Sequence, residues 1–226
     1  MASVSEHWLN ASLQSFPNAD IQLYTVPTIA LPDGEGEKYI MNSKDIAEAL
    51  EAAYPDPPLL LDSALSKGMI ELQGKIWDAI EPIILTHVHK RFLNEVNYEY
   101  WQETREVWLN PDVDTKNSKE AGRKWKTLED VEAELHADEG ALMRKAWERA
   151  GPFLDEIASL LKDNASGPFL VGKDVSFADF KWIGFLLFVQ RIGDDQWNMM
   201  RAGASDFGPH GELLTAAKNW IVRDDH

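Results

Sequence analysis

Residues 177–192 are helical in pattern and apolar nearly all round. The apolar positions are Phe177, Phe180, Trp182, Ile183, Phe185, Leu186, Leu187 and Val189. Because a helix without a polar face must be covered on every side, this segment belongs in the middle of a helical bundle. The residues that we expect to be buried there are Ala178, Phe180, Ile183 and Leu187.

A capping box fixes where this helix begins. The Ser176 side chain can accept a hydrogen bond from the backbone N–H of Asp179, whose carboxylate can reach back to the N–H of Ser176. The box follows a turn-rich segment at 167–172, and Gly193 ends the helix. We therefore assign Ser176 and Asp179 a structural role.

Between residues 65 and 88, apolar side chains recur at the spacing of one helix face. The stripe consists of Leu65, Met69, Leu72, Ile76, Ile80, Ile83, Ile84 and Val88. This spacing predicts a long helix. Pro82 predicts a bend within it, because proline removes a backbone hydrogen bond and clashes with the preceding turn.

Further helices are predicted on both sides of a polar, turn-rich segment at 110–119. Residues 98–109 are helical in pattern, and a capping box at 127–130 begins a helical stretch that reaches about residue 162. Gly151 and Pro152 predict a bend or break within that stretch. We therefore expect residues 63–226 to form an all-α domain.

The N-terminal part of the chain has a different pattern. Residues 22–31 and 37–41 read as two strands around a loop at 32–36, whose glycines permit a reversal. A helix then begins at Ser43 and is stopped by the proline-rich segment at 55–58. Residues 1–62 are therefore expected to form a small domain of strands and helix, which makes the whole chain α+β.

Composition excludes several classes of function. A formal charge of −16, from 38 acidic and 22 basic residues, disfavours nucleic acid and anionic membrane surfaces as partners. The absence of cysteine excludes a disulfide framework, a cysteine nucleophile and a thiolate metal site. The longest apolar run, at 182–189, is far shorter than the ~20 residues that span a bilayer, and residues 1–10 do not read as a secretory signal. We expect a soluble, cytoplasmic protein.

His87 and His89 are the most obvious candidates for metal ligands. Two residues apart on a helix, their side chains point about 200° apart and cannot share one ion. We therefore expect no metal site.

Several segments in order along the chain resemble the glutathione transferase family. Residues 25–29 (TVPTI) and 42–47 (NSKDIA) resemble the half of the family that holds the glutathione site, and residues 167–179 complete the pattern. Residues 100–106 and 188–193 are similar to fungal members in particular. The resemblance implies a thioredoxin-like N-terminal domain, an all-α C-terminal bundle and glutathione as the ligand.

The resemblance implies a role for Val26 and Pro27. In the family this proline follows a cis peptide bond, which makes a tight turn at low cost. Val26 would then offer its backbone N–H and C=O to the cysteinyl part of glutathione, much as an added strand does. On spacing alone, an ordinary edge-strand proline is the better interpretation of Pro27, and only its partnership with Ser43 favours the binding role.

The resemblance also implies a role for Asn42 and Ser43. At the start of a helix, the Ser43 hydroxyl and the free backbone N–H groups would hold the γ-glutamyl carboxylate of glutathione. Simple helix capping is the other interpretation of Ser43, and it is compatible with binding. Asn42 stands where the family commonly has an acidic residue or glutamine, so it could accept from the ligand ammonium without the strength of a charge-assisted bond.

The family places a strand, a helix, a second strand and a short helix ahead of the proline loop. Only 26 residues precede Pro27, and residues 4–14 read as the short helix. We therefore expect a truncated N-terminal domain, unless the given sequence starts late. The residue that contacts the glutathione sulfur would belong to the missing elements, so the catalytic residue is unknown and we expect weak activation of the thiol.

The leading interpretation is a transferase that conjugates glutathione, or performs a related glutathione-dependent step, on a hydrophobic electrophile held between the domains near Pro82. The alternative is a non-catalytic member of the family that binds glutathione or another protein. The resemblance further implies a homodimer.

Overall fold

The computed structural model describes residues 27–34, 36–109, 126–163 and 166–221. The chain divides into two compact units, Met1–Leu61 and Asp62–His226. In the described residues, the first unit holds a small sheet and a helix, and the second holds helices. None of these helices is both long enough and apolar enough to cross a membrane.

The described part of the first unit begins with an antiparallel hairpin. Strand β1 covers Thr28–Asp33, strand β2 covers Gly36–Met41, and the register places Thr28 opposite Met41. The predicted hairpin is confirmed.

The turn of the hairpin is tighter than the sequence predicted. The expected loop at 32–36 is wrong, because Pro32 still belongs to β1 and pairs across the hairpin. In the sheet formed by the described residues both strands are edge strands, where proline is tolerated. Gly34 makes the turn with a φ of 62°, which glycine adopts without strain. The predicted start of the first strand, at 22–26, lies outside the described residues.

Helix α1 covers Ser43–Ala53 and packs against β2, burying Ile46. It ends at Tyr54, directly before the prolines that were predicted to stop it. Both oxygens of the Glu51 carboxylate accept from the backbone N–H of Leu59 at 3.0 Å. This contact ties the proline-rich segment back onto the helix.

The second unit is built from helices. In chain order, α2 covers Ala64–Phe92, α3 Tyr98–Leu109, α4 Leu128–His136, α5 Ala141–Asp163, α6 Phe177–Ile192, α7 Asp194–Gly203 and α8 Gly208–Ala216. Short 3₁₀ turns lie at Glu95–Asn97, Ala137–Gly140 and Ala217–Asn219. The largest packing contacts join α2 to α5 and α6, and α5 to α7.

The predicted long helix and the predicted helix at 98–109 are confirmed as α2 and α3. Helix α2 continues through Pro82 as one element and is longer at both ends than the apolar stripe. The polar segment at 110–119 lies outside the described residues.

Helix α6 lies in the core, but one of its faces is incompletely covered. Ala178 and Ile183 are buried, as predicted. The prediction is wrong for Phe180 and Leu187, which are half-buried. These two residues share a face with the exposed Gly184, since residues three or four apart lie on the same side of a helix.

The capping box of α6 stabilises the loop before the helix as well as the start of the helix. The buried Asp179 carboxylate accepts from the Ser176 N–H at 2.8 Å, from the Ser176 hydroxyl at 2.6 Å and from the Leu170 N–H at 2.9 Å. The Asp179 N–H donates to the Ser176 hydroxyl oxygen at 3.4 Å. One carboxylate thereby fixes both the cap and the preceding loop.

A bend or a break was predicted at Gly151 and Pro152, and the break is wrong because α5 runs through both residues. Gly151 lies where α5 crosses α7, and a Cβ at this position would collide with the carbonyl oxygen of Gly203. Glycine at position 151 therefore allows the two helices to pack closely. The actual break separates α4 from α5, where Asp138 and Glu139 have φ values of 49° and 55°.

Candidate functional site

Pro27, Asn42 and Ser43 lie at the open end of the hairpin in the first unit. Pro27 directly precedes β1, whereas Asn42 and Ser43 directly follow β2. Because Thr28 is paired with Met41, the residues on either side of this pair are neighbours in space. The hairpin therefore brings these predicted site residues together, although 14 positions separate Pro27 from Met41 along the chain.

Asn42 has an unusual backbone conformation, with φ 70° and ψ 122°. It is the N-cap of α1, and its side-chain oxygen accepts from the backbone N–H of Lys44 at 3.1 Å. The capping interpretation of Ser43 is therefore wrong, because Ser43 is already the first helical residue. Asparagine suits the position physically, since it tolerates positive φ and has a side-chain oxygen that can cap.

The start of α1 leaves donors available. The Ile46 N–H is satisfied by the Asn42 carbonyl at 2.9 Å, and the Lys44 N–H by the Asn42 side chain. Within the described residues, the N–H groups of Ser43 and Asp45 have no hydrogen-bond partner. Together with the exposed Ser43 hydroxyl, these donors at the positive end of a helix dipole can hold an anion such as a carboxylate.

The two other predicted glutathione-binding residues precede β1. Pro27 is exposed at the open end of the hairpin. Val26 lies outside the described residues, and so does the peptide bond that joins it to Pro27. The backbone contact expected of Val26 stays a prediction.

A second concave site lies within the second unit. Helices α2, α4 and α5 border a cleft of about 580 Å³ beside Pro82, near which the sequence analysis expected a ligand. Its lining includes apolar side chains of all three helices together with Lys145 and Arg149 of α5. The volume lies within the range of about 300–1,000 Å³ that is usual for small-molecule pockets.

His87 and His89 have separate surroundings. The His87 Nδ1 lies 2.8 Å from the Ile83 carbonyl oxygen, and its ring stacks on His136 with centroids 6.0 Å apart. The buried His89 ring meets Tyr98 edge-on at 5.4 Å. Burial lowers the pKa of both His87 and His89. In the described ranges, no group of three or more metal-binding side chains occurs.

Sequence reasoning missed the cap role of Asn42 and the two cations of the cleft. The tolerance of asparagine for positive φ, directly before a helix, was a usable signal for the cap. Lys145 and Arg149 could have been noticed as two like charges four residues apart on one helix. The cleft itself has no local signal, because residues of α2, α3, α4 and α5 form it only when these helices pack together.

Comparisons with known proteins agree with this architecture. Residues 126–220 match the family description "Glutathione S-transferase, C-terminal domain". The chain is 25% identical over 211 residues to the glutathione S-transferase-like protein ustS of Aspergillus flavus, covering 88% of this chain and 68% of that protein.

Two solved structures are similar to the fold. A glutathione S-transferase of Ceriporiopsis subvermispora, solved in complex with glutathione, superimposes with a TM-score of 0.67 at 26% identity, covering 90% of this chain and 74% of that one. A second transferase of the same organism, also in complex with glutathione, gives a TM-score of 0.58 at 22% identity over 87% of this chain and 72% of the other, a level of identity that supports the fold alone. The α+β architecture, the matched helical domain and these relatives agree: the chain is similar to glutathione S-transferases, and its residues 126–220 match the C-terminal domain of that family.

Proposed function

We propose that the chain binds glutathione at the open end of the β1–β2 hairpin and uses it in conjugation, or a related glutathione-dependent step, with a hydrophobic electrophile. Similarity to a glutathione S-transferase that was solved in complex with glutathione, at 26% identity, supports glutathione as the ligand. The cytoplasm, where glutathione keeps thiols reduced, is the compartment that we propose for this reaction.

The observation that carries the proposal is the pair of donors at the start of α1. The N–H groups of Ser43 and Asp45 lack partners among the described residues, and the Ser43 hydroxyl is exposed beside them. A carboxylate such as that of the γ-glutamyl group satisfies such donors and is favoured by the helix dipole. Charge-assisted bonds of this type are about twice as strong as neutral ones.

The backbone of Asn42 gives independent support. A positive φ at a non-glycine residue costs roughly 1–3 kcal/mol, and such strain is concentrated at ligand-binding and catalytic sites. Here the residue with a φ of 70° joins β2 to α1, so the first residues of the helix directly follow the open end of the hairpin. Pro27 borders the same end, where Val26 would contribute its backbone to the ligand.

The chemistry of the step follows from the thiol. A thiolate attacks the electrophilic carbon, a carbon–sulfur bond forms, the leaving group departs with its electron pair, and the thiol proton passes to solvent or a base. An unperturbed thiol has a pKa of about 8.5, so about 3% is thiolate at pH 7. We assign no residue to contact the sulfur. The chain contributes positioning: it holds bound glutathione in place for the electrophile, so that the two reactants need not meet by chance in solution.

A conjugation assay separates the enzyme from a binding-only member of the family. Purified protein would be mixed with glutathione and chlorodinitrobenzene, and formation of the coloured thioether followed. We expect turnover above the uncatalysed rate, lowered in Ser43→Ala through a higher KM for glutathione. Ser159→Ala, an exposed serine of α5 in the second unit, is the matched control and should leave the rate unchanged.

Two outcomes contradict parts of the proposal. Glutathione binding without any turnover would be consistent with the proposed binding site but would refute the enzymatic step. Turnover with an unchanged KM in Ser43→Ala would refute the assignment of the site.

A further inference from the structure

The outer side of α3 carries apolar side chains that are largely open to solvent. The turn at Glu95–Asn97 runs directly into α3, since Tyr98 already has helical angles of φ −65° and ψ −47°. Val96 is 90% exposed, Tyr100 63% and Val107 40%. Because residues four and seven apart lie on the same side of a helix, these three form one apolar stripe.

The inner side of α3 attaches the helix to its neighbours. The indole N–H of Trp101 donates to the carbonyl oxygen of Leu85 in α2 at 3.0 Å. The Glu106 carboxylate accepts from the backbone N–H of Leu128, at the start of α4, at 3.1 Å. These contacts fix which side of α3 faces outward, so the apolar stripe belongs to a helix that is already held in place.

Three exposed carboxylates, those of Glu95, Glu99 and Glu103, accompany the stripe at intervals of four residues. Within the described residues, none of them has a lysine, arginine or histidine nitrogen within 4.0 Å. The one cation of α3, Arg105, lies over the ring of Trp101, 4.5 Å from its centroid. We call the stripe and these carboxylates together the α3 face.

The charge of the α3 face limits which partner can cover it. A second copy of the chain, paired through the same face, would bring like charges together across the interface, and each copy has a formal charge of −16. Like charges placed opposite each other disfavour association. Anionic surfaces are disfavoured for the same reason. A suitable partner is basic and has an apolar side of its own.

From the exposed stripe, the unpaired carboxylates and the fixed inner side, we infer that the α3 face binds a basic amphipathic helix of another protein. Apolar side chains of the partner, three or four residues apart, pack against the stripe, and its lysine or arginine side chains lie beside Glu99 and Glu103. Tyr100 is the expected anchor, since tyrosine is enriched among the residues that carry binding energy. The inference does not depend on glutathione binding.

The test measures the fluorescence anisotropy of two labelled peptides on titration with the full chain. One peptide repeats the heptad Leu-Lys-Lys-Leu-Leu-Lys-Leu twice, and the other has glutamate in place of every lysine. We expect saturable binding of the basic peptide only, weakened as salt is raised. Glu99→Gln combined with Glu103→Gln should weaken it by about tenfold, and so should Val96→Ser combined with Tyr100→Ser.

Asp78→Asn combined with Glu81→Gln is the matched control and should leave the affinity unchanged. These two carboxylates are also exposed on a helix, and Asp78 directly follows Trp77, which is 39% exposed. Equal losses from the two acidic pairs would indicate unspecific attraction to an acidic protein and overturn the inference. No saturable binding of the basic peptide, or an unchanged affinity after Val96→Ser with Tyr100→Ser, would overturn it as well. A lower sedimentation mass in that serine variant would assign the α3 face to a second copy, contrary to the inference.

Discussion

Thr28 pairs with Met41 across the β1–β2 hairpin, and this pairing places Pro27 beside the first residues of α1. The site is therefore defined by strand register. A slip of one residue would move every side chain of one strand to the other face and separate Pro27 from Ser43. The binding proposal and the fold of the first unit depend on the same contact.

Asn42 should tolerate glycine better than alanine. Glycine adopts positive φ without strain, whereas alanine loses the cap bond to the Lys44 N–H and keeps the strain, which together should cost about 2 kcal/mol. Hydrogen exchange of the α1 amides measures this local effect. Equal exchange rates in Asn42→Gly and Asn42→Ala would show that the backbone conformation is not strained.

Replacement of Asp179 should be more damaging than loss of an ordinary cap. Asp179→Ala removes the acceptor for the buried Leu170 and Ser176 N–H groups, and we expect a loss of about 3 kcal/mol in the free energy of unfolding. Asp130→Ala, at the half-buried capping box with Thr127, is the matched control and should cost about 1 kcal/mol. Urea unfolding gives both values, and equal losses would contradict the larger role of Asp179.

His210 should make the protein less stable in acid. It is fully buried and its Nδ1 accepts from the Trp182 indole N–H at 2.9 Å, while burial lowers the pKa of His210 to about 4 despite the nearby Asp155 and Asp206. Below its ordinary pKa near 6.5, the unfolded chain binds a proton that the folded chain does not bind until about pH 4. Stability should therefore fall by up to about 3 kcal/mol as pH decreases through this window.

Unfolding free energies measured between pH 7 and pH 4 test the role of His210. His210→Gln should show a shallower decline over this range, whereas the exposed His136→Gln should keep the parent slope. A parent slope in both variants would assign the acid sensitivity to other groups.

The resemblance to the transferase family predicts a homodimer. Sedimentation at micromolar concentration should give about twice the mass of the 226-residue chain. A single species with the mass of one chain would contradict this prediction.

The sequence predicted features that depend on neighbours along the chain. The apolar stripe of α2, the hairpin and the end of α1 before its prolines are all set by local pattern. Prediction from the sequence failed at Gly151, where close contact with Gly203 explains the glycine. It also failed at Phe180 and Leu187, whose exposure depends on which helices cover α6. In both cases packing between helices determines the outcome, and the spacing of residues within one helix does not reveal that packing.

The candidate site shows the same division. The residues at the end of the hairpin were identified from short segments that resemble the family. The cap was considered at Ser43 alone, whereas the structure places it at Asn42, whose tolerance for positive φ was the available signal. A ligand was expected near Pro82, but the walls of the cleft could not be predicted because residues of α2, α3, α4 and α5 form them.

The central claim is that glutathione binds at the start of α1, and the backbone amide resonances of isotope-labelled protein test it most directly. On titration with glutathione, the amides of Ser43 and Asp45 should shift saturably with one common Kd, and Ser43→Ala should raise that Kd by about tenfold. The amide resonances of Lys145 and Arg149 should not shift. The absence of saturable shifts at Ser43 and Asp45 at millimolar glutathione, or their appearance only elsewhere in the chain, would contradict the account.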